Sequence, residues 1–314
     1  MKKAVFIYVA LLLSFSLYGQ QNIANETTAA HVVVQNTKIS LVPPVDFSVA
    51  TNFAGFQQDS SGASIMVVDL PAPFSEIAKA FTPEGLKTQG MDLLQKEELI
   101  LNGIPAILIK GEQAAYGNTY HKYTLAFGSE TESILINGTY QKEDDAALGE
   151  AIKSAVLSSI YDTSKSVDPL ESADFEIALT GTDMVFAASV ANSLLFNREG
   201  QIPGTATDKA AFIVAKSFSE MEIPDKKAFS ENRLRQNPIT IESIKSTVPI
   251  RIDGLDGFEI IAESKPDELG KVLELYQVIL FSDKQYYILF GSSEEDYEKN
   301  MAVFKSLTQT FKRK

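Results

Sequence analysis

Two histidines, several acidic clusters and a scatter of tyrosines are the chemistry-bearing side chains of this 314-residue chain, which contains no cysteine. Thiol nucleophiles, disulfides and cysteine-ligated metals are therefore excluded. His31 and His121 fall in different segments, with no HExxH or HxH spacing to bring two imidazoles to one metal. A metal would need an all-carboxylate site, which suits hard cations. Asp253-Gly254-Leu255-Asp256-Gly257 offers such oxygens, but it is too short for an EF-hand loop and lacks its closing glutamate. Its Asp-Gly pair reads more simply as a hairpin turn. The acidic runs Glu143-Asp144-Asp145 and Glu294-Glu295-Asp296 stand at expected helix starts, where the helix dipole favours them. No nucleophile elbow, phosphate-binding loop or dinucleotide fingerprint occurs. No cofactor, metal or catalytic residue is expected. A hydrolase built on carboxylates, or on the Ser–Lys neighbours Lys153-Ser154 or Lys305-Ser306, would require a cleft that gathers polar groups from both parts of the chain.

The tyrosines are better suited to recognition, since Tyr offers contact area at low entropic cost. Tyr116, Tyr120, Tyr123 and Tyr140 gather around one hairpin, and Tyr276, Tyr286 and Tyr287 around another. Tyr116, Tyr120, His121 and Tyr286 are the candidate partner-binding residues. The plainer reading is that tyrosine forms strands well and that half of these belong to the core. His121, in Tyr120-His121-Lys122-Tyr123, is expected as a half-exposed strand residue.

The elements that position these groups occur twice. GIPAILIKGE followed by YHKYTLAFGSETESILING spans Gly103 to Gly138; GLDGFEIIAE followed by LYQVILFSDKQYYILFG spans Gly254 to Gly291. Each copy predicts a strand, a loop and a two-stranded hairpin, then an amphipathic helix. Asn102-Gly103 and Asp253-Gly254 are matching hairpin turns. ASIMVVDL (Ala63 to Leu70) predicts a strand buried on both faces, answered by AAFIVAK (Ala210 to Lys216). Phe47 to Phe56 and Val185 to Phe196 are expected as further strands. Thr82-Pro83-Glu84 opens a helix expected to reach about Leu94, preceded by a short helix capped by Ser75. Asp144 to Ile160 is expected as a helix, and Ser292 with Glu295 as the capping box of the last one. Tyr123 matches Tyr276, and Gly138 matches Gly291.

The expected organisation is a signal peptide over residues 1–20, a flexible leader over 21–37, a first domain over 38–161, a polar linker over 162–173 and a second domain over 174–314. Lys2 and Lys3, the apolar run Ala4 to Leu17 and the small Gly19 carry the signal-peptide reading. The run is shorter than the ~20 apolar residues of a spanning helix, so cleavage and a periplasmic or secreted mature chain are expected, without an integral membrane segment. The net charge of −13, from 28 Lys and Arg against 41 Asp and Glu, argues against nucleic acid as a partner.

The order ISLVPPVDF, ASIMVVDL, the Asn102-Gly103 hairpin and a closing helix, found in both halves, resembles the PsbP-like, or Mog-type, fold. The resemblance implies an α+β protein of two tandem α/β sandwich domains, each a central, mainly antiparallel sheet flanked by helices. It also implies a non-enzymatic protein that binds another protein, here one of the cell envelope. A small ligand, a carried hydrophobic molecule or a hydrolytic site between the halves are the alternatives.

Overall fold

A computed structural model describes residues 21–115, 117–202, 204–218 and 220–314. The expected signal peptide and Tyr116 lie outside the described residues. The fold is α+β, with one eight-stranded and one seven-stranded sheet flanked by helices. In the first sheet the order is Gln21–Ile23, Met91–Leu101, Ile104–Ala115, Asn118–Gly128, Ser133–Gln141, Ala63–Leu70, Gly55–Gln58, Ser48–Val49. In the second it is Ile241–Ile252, Leu255–Ser264, Glu274–Ser282, Gln285–Ser293, Ala211–Lys216, Ser193–Asn197, Val185–Val190. Apart from Gln21–Ile23, which adds to the first sheet in parallel, the two orders correspond strand for strand.

The register agrees too. Tyr123 stands opposite Gly138, and Tyr276 opposite Gly291. The glycines are required by close approach: a Cβ would lie 2.2 Å from Ile152 Cγ2 at Gly138, and 2.5 Å from Phe304 Cδ2 at Gly291. Each closing helix, Asp145–Leu157 or Tyr297–Gln309, thus settles on a glycine with a tyrosine as its cross-strand neighbour. Asn102-Gly103 and Asp253-Gly254 have positive φ at both residues, as a two-residue hairpin turn demands.

Each sheet is covered on both faces. One face of the first packs Ile65, Val67, Leu125, Phe127 and Ile136 against Ile152 and Val156 of the closing helix; the other packs Ile107, Ile109 and Ala126 with Phe81 and Leu86. In the second, Phe212, Tyr276 and Leu289 meet Phe304 and Leu307, while Ile260, Ala262 and Leu275 meet Leu234. This two-sided burial explains the near-continuous apolar runs of the central strands.

Several local expectations are corrected. The helix opened by Thr82, whose hydroxyl accepts from Gly85 N at 3.0 Å, stops at Thr88; Gly90 turns left-handed (φ 72°), and Met91 begins a strand. The short helix before it is Phe74–Ala78, flanked by Pro73 rather than capped by Ser75. Phe47 to Phe56 and Val185 to Phe196 each fall in two strands, joined by residues 50–54 in the first and by Ala191-Asn192 in the second. The closing helix of the first half ends at Leu157, where the Ser158 and Ser159 hydroxyls donate to the Ala155 and Val156 carbonyls; Ile160–Tyr161 then pairs with Ile39–Ser40. Ser292 is a strand residue, so the capping box does not form, and Asp296 enters the last helix with φ 52°. Ala63–Leu70 alternates instead of burying both faces: Ala63, Ile65 and Val67 are buried, the residues between them half-buried. The expected flexible leader is tied down. Gln21–Ile23 pairs with Leu99–Leu101, Asn25 donates to the Leu157 and Ser159 carbonyls, and Val34 is buried in the first core.

The linker is also stitched to its surroundings. Lys165 donates to the Thr37 carbonyl and Asp162 N to that of Lys38, while Lys314 donates to the carbonyls of Leu170 and Glu171. Val185–Val190 lies against Ala63–Leu70, so the two sheets meet along neighbouring strands.

Candidate functional site

The named candidates do not come together. Tyr120 is half-buried on the first sheet, and Tyr286 lies on the second with its ring 5.1 Å from that of Phe229. Tyr123, Tyr140, Tyr276 and Tyr287 are core residues. His121, expected half-exposed, is buried and bridges two carboxylates: Nδ1 is 2.9 Å from Asp145 Oδ1, and Nε2 is 3.2 Å from Glu112 Oε2. Asp145 Oδ1 also accepts from Lys110 (2.6 Å) and from the Tyr140 hydroxyl (2.7 Å), and Lys142 pairs with Glu112 at 2.8 Å. Lys110, then His121 and Tyr140, hold the Asp145 carboxyl well below the usual range. Burial, then Asp145, push the Tyr140 phenol up. Every member is committed to another, and Asp145 opens the closing helix. The cluster therefore clamps helix to sheet. In the second half the corresponding positions are Glu263 and Glu274, joined by Lys245 at 2.9 and 3.6 Å. No group of three His, Asp or Glu among the described residues is placed to hold a metal, and Asp253 is engaged by Arg313 at 2.8 Å.

A cleft of about 580 Å³ lies where the sheets meet, lined from both halves and by the linker. Sequence reading did not single out its polar groups. Asp69 reaches it because it shares the parity of Ala63, Ile65 and Val67 on its strand, and so occupies an inward-facing position at the strand's end. A carboxylate at the end of an apolar strand, in phase with its core residues, was the available signal. Register places Ile65 opposite Gly138 and Phe212 opposite Gly291, so Asp69 corresponds to Lys216, which lines the same cleft. Asn52 and Asn192, each in the connection that leads into the neighbouring strand, Gly55–Gln58 or Ser193–Asn197, also line it.

The charges around these positions are swapped between the halves. Asp174 precedes the strand Phe175–Glu176 as Lys38 precedes Ile39–Leu41, and both short strands pair with the segment that follows a closing helix. In the second half Lys216 Nζ meets Asp174 Oδ2 at 2.5 Å. In the first, Lys38 makes a two-pronged pair with Glu132, at 3.0 and 2.8 Å; the Tyr161 hydroxyl also donates to Glu132. Asp69 Oδ1 is left buried with no hydrogen-bond partner among the described residues, as is Asn52 Oδ1. Burial, then the charge of Glu132, push the Asp69 carboxyl up to about 6 against the opposing pull of Lys38. Burial also raises Glu132, but the Lys38 and Tyr161 hydrogen bonds outweigh it and its carboxyl ends below the usual value. Neither Ser–Lys pair lines the cleft.

No protein-family model matches the chain. No curated protein sequence matches it. Among solved structures, the chain is similar to the PsbP protein (CyanoP) of the cyanobacterium Synechocystis, at 9% identity over 44% of this chain and 98% of that one, with a TM-score of 0.30. It is similar to LpqN, involved in cell envelope biogenesis of Mycobacterium tuberculosis, at 15% identity over 40% and 83%, with a TM-score of 0.32. It is also similar to TplEi, a T6SS immunity protein of Pseudomonas aeruginosa, at 9% identity over 90% and 97%, with a TM-score of 0.31. No helix among the described residues is long and apolar enough to cross a membrane.

Proposed function

We propose that this chain is a non-enzymatic binding protein of the bacterial cell envelope. It is built of two PsbP-like domains, residues 38–161 and 174–314, that arose by duplication. Exported by residues 1–20, it takes a segment of another envelope protein in the cleft between them. The observation that carries the reading is the cleft itself, walled by corresponding positions of the two sheets and holding two buried acceptor oxygens without donors among the described residues. Such oxygens cost free energy until a donor arrives, so the site is organised to receive one. The linker, bonded on both sides, favours the two halves acting as one unit.

The alternatives fit less well. Carboxylate hydrolysis needs an acid and a base that both face the substrate. Here Glu132 is held by Lys38 and Tyr161, and Lys216 is matched to Asp174, which leaves Asp69 alone. A carrier of hydrophobic molecules would bury the Asp69 and Asn52 oxygens against hydrocarbon with no donor.

The test is site-specific photocrosslinking in envelope extract from a probe at Ser189, a half-buried cleft residue. A discrete adduct is expected, lost when the neighbouring space is filled by Ala187→Trp. An adduct pattern unchanged by the filling would refute the cleft as the binding site.

A further inference from the structure

We infer that the cleft selects a cationic side chain, a lysine ammonium or arginine guanidinium presented by the partner, and that Asp69 and Asn52 are the groups that receive it. This rests on the binding reading of the cleft and adds the chemistry of what enters.

The cleft presents three carboxylates, of Asp69, Glu132 and Asp174, to two ammonium groups, of Lys38 and Lys216. Both ammonium groups are already matched, to Glu132 and to Asp174. The remaining carboxylate, Asp69, has its buried Oδ1 without a hydrogen-bond partner among the described residues, and the second such atom in the cleft, Asn52 Oδ1, is also an acceptor. A ligand that brings only acceptors would add repulsion; a neutral donor would leave the Asp69 charge uncompensated. A cationic donor satisfies both, and charge-assisted hydrogen bonds are about twice as strong as neutral ones. Half-buried Phe53 and Phe186 in the lining give apolar surface for the methylenes that carry such a head group. The corresponding position in the second half shows what satisfies this place in the fold, since Lys216 there holds an Asp174 carboxylate. In the first half Glu132 holds the internal lysine, and the cation for Asp69 comes from the partner.

The experiment uses the mature full chain, with backbone-amide NMR shifts of the cleft residues as readout. Four probes are titrated: the Nα-acetyl methylamides of lysine, arginine and norleucine, and free spermidine. The lysine or arginine probe is expected to shift the cleft amides saturably, with norleucine far weaker. Asp69→Asn, which keeps the shape and removes the charge, is expected to weaken cation binding about 10–100-fold, the range for a charged hydrogen bond. Ala187→Trp is expected to abolish it.

If Asp69→Asn binds the cations as the parent does while Ala187→Trp abolishes binding, the cleft is a binding site but not a cation site, and this inference alone falls. If norleucine binds as well as lysine, it falls in the same way. Cation binding that survives Ala187→Trp removes both this inference and the cleft reading. Absence of any cleft shift with lysine and arginine overturns the inference. Spermidine binding tighter than both capped residues overturns the assignment to a protein side chain in favour of a free amine.

Discussion

Asp69 and Lys216 hold the same register position in the two sheets, four residues beyond the residue opposite Gly138 or Gly291, and both line one cleft. They differ in what surrounds them. Lys216 is matched by Asp174, whereas the lysine that corresponds to Asp174 has been captured by Glu132. Two halves with one strand order thus face each other through one satisfied and one unsatisfied copy of the same polar position.

Asp69→Asn should stabilise the folded chain. The folded carboxyl titrates near 6, above its ordinary value of 3.8, so the folded state binds the proton more tightly. Its full contribution to stability is present below about pH 4 and is lost as pH rises through about 6. Above pH 6 the variant should be more stable by about 1–2 kcal/mol, allowing for solvent screening of a half-buried group. Urea unfolding from pH 4 to 8 checks this; a difference that does not grow with pH would contradict it.

Glu132→Gln should return Lys38 to Asp69. Removing the competing carboxylate takes away a charge that raises Asp69 and frees the ammonium that lowers it. The Asp69 titration, followed by the carbon shift of its carboxyl, should move down from about 6 towards the ordinary range. No movement would mean that Lys38 cannot reach it.

Asp145→Asn should destabilise the first half by about 2 kcal/mol at pH 7, because the buried Tyr140 hydroxyl and His121 lose their charged acceptor. The pH dependence is opposite in sign to that of Asp69. A carboxyl held low stabilises above its unfolded value and loses this as pH falls below that value. The gap between parent and variant should therefore start to narrow below about pH 4 and close only as pH falls through the much lower folded value. Unfolding at pH 7 and pH 3 measures it.

Gly138→Ala and Gly291→Ala should each cost about 1–3 kcal/mol, by forcing a methyl group into Ile152 or Phe304. In calorimetry of the full chain, each is expected to lower mainly the unfolding of its own half. Equal broadening of one shared transition by both would show that the halves unfold together.

Much of the fold was written in local sequence. Asn102-Gly103 and Asp253-Gly254 can adopt left-handed φ at two successive positions with little penalty, and they form the turns expected of them. Alternation and apolar run length placed the strands, and the Tyr123–Tyr276 and Gly138–Gly291 matches hold one register. The misjudged boundaries lie where a side chain had two local roles. Ser292 reads equally as a cap or as a strand residue, and its pairing with Leu275 on one side and Ala211 on the other chooses. His121 looked half-exposed because nothing near it in sequence announces Asp145, which a later helix delivers.

The sequence by itself determined the periodicity, the turns, the doubled order of elements and the absence of thiol chemistry, because these depend on residue type and on neighbours a few positions away. The tertiary structure alone decided the site. Lys38 and Glu132 are 94 residues apart, and Lys216 and Asp174 are 42 apart. Which ammonium pairs with which carboxylate is set by differences of a few ångströms between elements brought together by the packing of two sheets. The steep distance dependence of hydrogen bonds and charge pairs turns those differences into one matched lysine and one unmatched aspartate.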